Sequence, residues 1–215
     1  MLNQTDDSEQ MNIKETIMIK NIIFDIGNVL LKFDYHPYVK ELLQDDDVIE
    51  HVNNAIWMTG YWNDLDRGMN TDLIFQKMLE AEPEYEDEIR LVFDNVGQCI
   101  KKEDYAIPWI KDLKKRGYKV LFLSNYAEHT MNANPLPLDF LMYMDGGVFS
   151  CNEGFIKPDR KIYHILLERF GLVPEECVFL DDSKTNVIAA QTVGMNAIHF
   201  EGYEKARQEL EEMLK

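Results

Sequence analysis

Three runs in this chain are apolar at every position rather than at alternate ones: Ile22, Ile23 and Phe24; Val120, Leu121, Phe122 and Leu123; Val178, Phe179 and Leu180. A strand with one wet face alternates polar and apolar side chains. A strand covered on both faces does not, and that pattern belongs to parallel sheets flanked by helices. The sequence therefore predicts strands over 19–25, 118–124 and 177–181, with a shorter one over 196–200. Helical patterns separate them at 108–116, 159–170 and 183–193, and each is followed by a glycine: Gly117, Gly171 and Gly194. Glycine takes the left-handed conformation that closes a helix without a Cβ penalty. This alternation predicts an α/β fold built on a doubly wound parallel sheet.

One stretch interrupts the alternation. Residues 34–105 are acidic, helical in pattern, and dotted with Trp57, Tyr61, Trp62, Phe75, Tyr85 and Phe93. No strand is expected there. The stretch reads as a small α-helical insert after the first strand, so the α/β core comprises 17–33 and 106–215. Residues 1–16 are polar and read as a flexible tail, with the ordered chain starting at Met11 or Met18. No apolar run is long enough to span a bilayer, and no signal core precedes the first strand. Cys99, Cys151 and Cys177 lack metal-ligand spacing and read as reduced thiols. These features predict a cytoplasmic protein without membrane contact, and its state, monomer or homodimer, stays open. The 39 acidic against 22 basic residues give a formal charge of −17, which repels phosphate backbones and argues against a nucleic-acid partner.

The strand ends carry the chemistry. In open α/β sheets, ligands bind outside the carboxyl ends of the strands. Here those ends hold Asp25, then Ser124 with Asn125, then Asp181 with Asp182, and Lys157 precedes Pro158 in the loop between the last two. Carboxylates brought to one edge repel one another unless a divalent cation joins them. An oxygen-only set that also handles phosphate favours Mg²⁺. Asp25 is then placed to attack phosphorus, while Ser124, nearby amides and Lys157 hold the phosphoryl oxygens.

The segments "FDIGNVL", "LSN", "KPD" and "FLDDS" followed by Asn186 resemble, in order and spacing, the four motifs of the haloacid dehalogenase superfamily. Within it the chain looks like bacterial phosphatases of α-D-glucose 1-phosphate and related sugar phosphates, and like the phosphatase domain of soluble epoxide hydrolase. The Gly-Asn variant of the first motif and the element Asp66-Arg67-Gly68 carry the former likeness. The resemblance implies a Rossmann-like core with the helical insert as its cap, and a Mg²⁺-dependent phosphatase of small phosphorylated metabolites, a sugar phosphate among them. It implies Asp25 as nucleophile and metal ligand, Gly27 as a carbonyl ligand, and Asp182 as a direct ligand supported by Asp181 and Asn186. Ser124, Asn125 and Lys157 would bind phosphate, and Arg67 would reach the substrate from the cap.

One position departs from that pattern. Most phosphatases of the superfamily place a second aspartate two residues after the nucleophile, where it protonates the leaving oxygen. Here Gly27 stands there. General acid–base help is typically worth ~10²–10⁴-fold, so Asp34, His36 or a cap residue is expected to supply it, the alternative being that substrate and water do so unaided. Asp34 also suits the N-cap of a helix carrying Val39, Leu42 and Leu43. The aromatics of the insert suit its own core as well as a substrate wall. Two other readings stay open: a metal-independent 2-haloacid dehalogenase, and a non-catalytic protein that binds a phosphometabolite or a partner.

Overall fold

The computed structural model describes residues 18–215. The tail expected at 1–16 lies outside the described residues. Five strands form a parallel sheet: β1 (Asn21–Phe24), β4 (Lys119–Ser124), β5 (Gly146–Phe149), β6 (Cys177–Asp181) and β7 (Asn196–His199), in the order β5-β4-β1-β6-β7. Two further strands, β2 (Leu31–Phe33) and β3 (Ile100–Lys102), pair antiparallel as a separate ribbon.

The uninterrupted apolar runs do what their pattern requires. Ile22 and Phe24 join a cluster on one face with Val120, Phe122, Val178 and Leu180. Ile23 joins the other face with Leu121, Leu123 and Phe179. The first face is covered by α6 (Ala106–Lys115), through Trp109, Ile110 and Leu113, and by α10 (Tyr203–Met213), through Ala206 and Leu210. The second is covered by α8 (Arg160–Phe170), through Ile162, Tyr163 and Leu166, and by α9 (Lys184–Thr192), through Ala189 and Ala190. Burying one such side chain stabilises by roughly 1.5–3 kcal/mol, so the sheet is held from both sides.

Between β2 and β3 runs the helical segment: α1 (Tyr35–Leu43), α2 (Asp46–Asn53), a π-helical turn (Asn54–Met58), α3 (Tyr61–Asp66), α4 (Thr71–Ala81) and α5 (Glu86–Asp94). Its buried residues Val39, Ile56, Leu65, Ile74 and Phe93 belong to the same cluster as the first sheet face. The chain thus leaves the sheet through β2 and returns through β3. Finally α7 (Glu128–Ala133) follows β4.

Three strands escaped the sequence pattern. β2 and β3 are three residues long, and one turn of alternation carries no periodicity. β3 falls inside the stretch for which no strand was expected. β5 opens on Gly146 and Gly147, residues depleted in strands. Gly147 is required by its neighbour, since a Cβ there would lie 2.4 Å from the Phe122 ring.

Candidate active site

The sheet order reverses around β1: the chain builds β4 and β5 on one side of it and β6 and β7 on the other. At such a switch point adjacent loops diverge and leave a crevice. Asp25 follows β1 directly, and its backbone N–H donates to Leu180 O at 2.8 Å. The neighbouring strand β6 ends in Asp181, and Asp182 follows it. One carboxylate oxygen from each of Asp25, Asp181 and Asp182 lies within 4.8 Å of the others.

Lys157 enters this group from the loop before α8. Its Nζ is 2.8 Å from Asp25 Oδ1 and 2.7 Å from Asp181 Oδ2, with the lysine side chain 1% exposed. Asn125, just beyond β4, holds that loop in place: its Nδ2 donates to Lys157 O at 3.0 Å, and its Oδ1 accepts from Lys157 N at 2.8 Å. Asp181 is fixed further by Ser183 N at 2.8 Å and by Asn186 Nδ2 at 3.0 Å. Asp182, less buried, accepts from Asn28 Nδ2 at 3.1 Å. Asn28 reaches it from a left-handed backbone conformation, φ 54°, which asparagine tolerates better than most residues.

The electrostatics follow from burial. Desolvation pushes the Asp25 carboxyl up to about 7; Lys157 opposes that shift, while Asp181 and Asp182 add to it. Burial also raises Asp182. Lys157 is raised overall, because its two carboxylate partners outweigh the burial that would lower it. Three carboxylates against one ammonium leave two negative charges when all are ionised. The donor set is all oxygen. A divalent, oxygen-seeking cation fits it in charge and in kind.

A cavity of about 270 Å³ opens beside these groups. Asp25, Gly27, Asn125, Lys157, Asp182 and Asn186 line it from the sheet side. From the helical segment come Trp57, Trp62 and Asp66, with Phe33 from β2. Trp57 sits in the π-helical turn, 4.1 Å from Trp62 between ring centroids. Single π-turns inside helices recur at functional sites, because they re-aim a side chain.

Most of the site residues read from the sequence therefore converge. Ser124 lies at the end of β4 and is fully buried; its hydroxyl donates to Asn125 O at 3.4 Å, and it is not part of the cavity wall. Nor does Arg67 reach the cavity: it pairs with Asp64 at 3.1 Å and is 41% exposed. Its neighbour Asp66 takes that place. Asp34 stands at the N-cap position of α1 without a side-chain capping bond, and it pairs with Lys32 at 3.0 Å. His36 is exposed on α1. Neither lines the cavity. Gly27 has no atom within 4 Å of where a Cβ would stand. Packing against protein atoms therefore does not require glycine there.

Comparison with known proteins agrees with this architecture. The model of the haloacid dehalogenase-like hydrolases matches residues 19–194. A sesquiterpene phosphatase of Aspergillus oryzae is 28% identical over 184 residues, covering 84% of this chain and 89% of that protein. A D-ribitol-5-phosphate phosphatase of Bacteroides thetaiotaomicron is 24% identical over 216 residues, covering 90% and 97%. A HAD family enzyme of the same bacterium, solved with magnesium and inorganic phosphate, superposes with a TM-score of 0.68 at 19% identity, covering 87% of this chain and 98% of that one. With its match running through every strand but β7, this chain belongs to the haloacid dehalogenase-like hydrolase family and is a hydrolase.

Proposed function

We propose that the protein is a Mg²⁺-dependent phosphatase, a phosphoric monoester hydrolase that takes a small phosphorylated metabolite and works through an aspartyl-phosphate on Asp25. The observation that carries this reading is the cluster of Asp25, Asp181 and Asp182 around Lys157 at the sheet's switch point. Asp25, the Gly27 carbonyl and Asp182 would hold the cation. When bound, Mg²⁺ offsets the carboxylate repulsion and withdraws charge from the phosphoryl oxygens.

The chain's own groups do the rest. Asp25 presents a carboxylate oxygen to phosphorus, and Lys157 keeps that oxygen oriented while offering its ammonium to the phosphoryl group. Asp181 serves as the anchor of Lys157, itself fixed by Ser183 and Asn186. Asn125 positions Lys157 through its backbone. Ser124, at the same strand end, is assigned to the phosphate, which it would meet if its loop adjusts on binding. The helical segment acts as a cap, shielding the reacting atoms from bulk water and selecting the alcohol.

Two relatives with phosphatase names cover nearly their whole lengths with this chain, and one solved neighbour holds magnesium and phosphate. The aromatic wall of Phe33, Trp57 and Trp62 suits a ring or an apolar carbon skeleton. Sugar phosphates are the first class to assay. The test is a panel of phosphorylated metabolites, each with Mg²⁺ and with EDTA. Metal-dependent release of inorganic phosphate supports the reading, and release indifferent to EDTA refutes its metal.

A further inference from the structure

Phosphoryl transfer to Asp25 leaves an alkoxide, and an alkoxide needs a proton to leave readily. Among the described residues, the titratable side chains on the cavity wall are Asp25, Asp66, Tyr126, Lys157 and Asp182. Asp25 forms the new bond to phosphorus. Asp182 is turned to the cation site and is held by Asn28. Lys157 is held between two carboxylates at 2.8 and 2.7 Å. Tyr126 is a phenol whose hydroxyl is buried without a partner, and burial pushes its titration far up.

Asp66 is left. It is the last residue of α3 and only 7% exposed. Among the described residues its carboxylate has no hydrogen-bond donor and no ion pair, although its backbone is firmly held: Ser150 Oγ donates to Asp66 O at 2.6 Å. The turn after it fits tightly on the core, since a Cβ on Gly68 would lie 2.0 Å from the Cys151 carbonyl oxygen. A buried, rigidly mounted and unpaired carboxyl on a cavity wall is costly to keep for structure alone.

Building on the phosphatase reading, we infer that Asp66 is the general acid and base of this site, a catalytic residue delivered by the helical segment in place of one at Gly27. In the first step the bond from Asp25 Oδ to phosphorus forms and the bond from phosphorus to the alcohol oxygen breaks. The Asp66 carboxyl proton passes to that oxygen, releasing the alcohol and leaving Asp66 ionised. In the second step a water takes the position the alcohol vacated. Its oxygen bonds to phosphorus, its proton goes to the Asp66 carboxylate, and the bond to Asp25 breaks. Inorganic phosphate leaves, and both aspartates return to their starting states.

The surroundings of Asp66 suit both halves of the cycle. Burial raises its carboxyl to about 7, against the pull of Lys157 first and Arg67 second. Tyr126 and Cys151 also face it. A group titrating near the working pH can give a proton in one step and take it back in the next.

The experiment compares wild type and Asp66→Asn on p-nitrophenyl phosphate, whose leaving group needs no proton, and on the sugar phosphates of the panel, whose leaving groups do. The inference expects kcat/KM, which reports steps up to departure of the leaving group, to fall ~10²–10⁴-fold on the sugar phosphates and at most about tenfold on the aryl ester. It expects kcat to fall on both, because hydrolysis of the Asp25 phosphoryl group needs the base in either case. Surviving aryl activity also shows that the variant folds. Equal losses of kcat/KM on both substrates, or no loss on either, overturn the inference and leave the phosphatase reading standing. So does a wild type that cleaves only the aryl ester. A wild type that cleaves neither refutes the phosphatase reading, and the role of Asp66 with it.

Discussion

Asp66 and Lys157 show how differently the same cavity treats two buried charges. Lys157 has two partners within 2.8 Å, whereas Asp66 has none among the described residues. The folded state therefore resists ionising Asp66, whose carboxyl is raised from 3.8 to about 7. A carboxyl raised in this way supports the fold fully at pH below its unfolded value, and that support is lost as pH rises through about 7. Asp66→Asn removes the ionisation. The variant should be more stable than wild type at pH 8, by on the order of a few kcal/mol and with a higher Tm, and the two should converge near pH 4. Thermal unfolding of both proteins across that range measures it; parallel curves would mean that Asp66 is not held as a buried acid. In the sequence, Asp66 is visible only as part of Asp66-Arg67-Gly68, and the resemblance carried by that element points to Arg67 as the contact to substrate. What decides between neighbours on a short helix is the direction each one faces. That direction was set by Ser150 and Gly68, whose partners are far away in sequence. Asp34 and His36 are near Asp25 in sequence, yet only Phe33 just before them lines the cavity: Asp34 pairs with Lys32, and His36 is exposed on α1.

At the scale of elements, one tie between the helical segment and the sheet bears directly on α3. Ser150, after β5, donates to Asp66 O at 2.6 Å and accepts from Tyr126 N at 3.0 Å. Both backbone groups belong to elements that line the cavity, α3 on one side and the loop after β4 on the other. Ser150→Ala leaves each without its partner. The cost should be about 1–3 kcal/mol per orphaned group, with turnover reduced because α3 loses its anchor. Urea unfolding with a parallel assay measures this, and a stable, fully active variant would show that the tie does not position α3. The central strands β1, β4 and β6 were legible because their side chains alone announce burial on both faces. β5 was not, since Gly146 and Gly147 carry no such signal; a neighbouring ring, Phe122, is what admits only glycine at 147. The short ribbon of β2 and β3 is likewise a tertiary fact. Its pairing of Leu31 with Lys102 joins residues about 70 positions apart, and no local pattern foretells that.

For the whole molecule, a net charge of −17 and a local excess of carboxylates in the crevice act in the same direction. Both favour cation uptake and oppose a dianionic substrate until the cation is in place. Mg²⁺ at a hundredfold over its dissociation constant should stabilise the fold by ~2.7 kcal/mol. For a chain of this size that is roughly a 5–10 °C rise in Tm. Asp182→Asn should abolish most of the rise, and an equal rise in that variant would move the cation elsewhere. Among the described residues no helix is long and apolar enough to cross a membrane.

The central claim is that a phosphoryl group resides on Asp25 during turnover. The direct measurement is acid quenching of the wild-type enzyme as it works on a phosphorylated substrate, followed by peptide mass spectrometry. The prediction is a phosphoryl adduct on the peptide carrying Asp25, formed with Mg²⁺, lost with EDTA and absent from Asp25→Asn. Sustained phosphate release with no adduct on that peptide, or with the adduct on another residue, would contradict it.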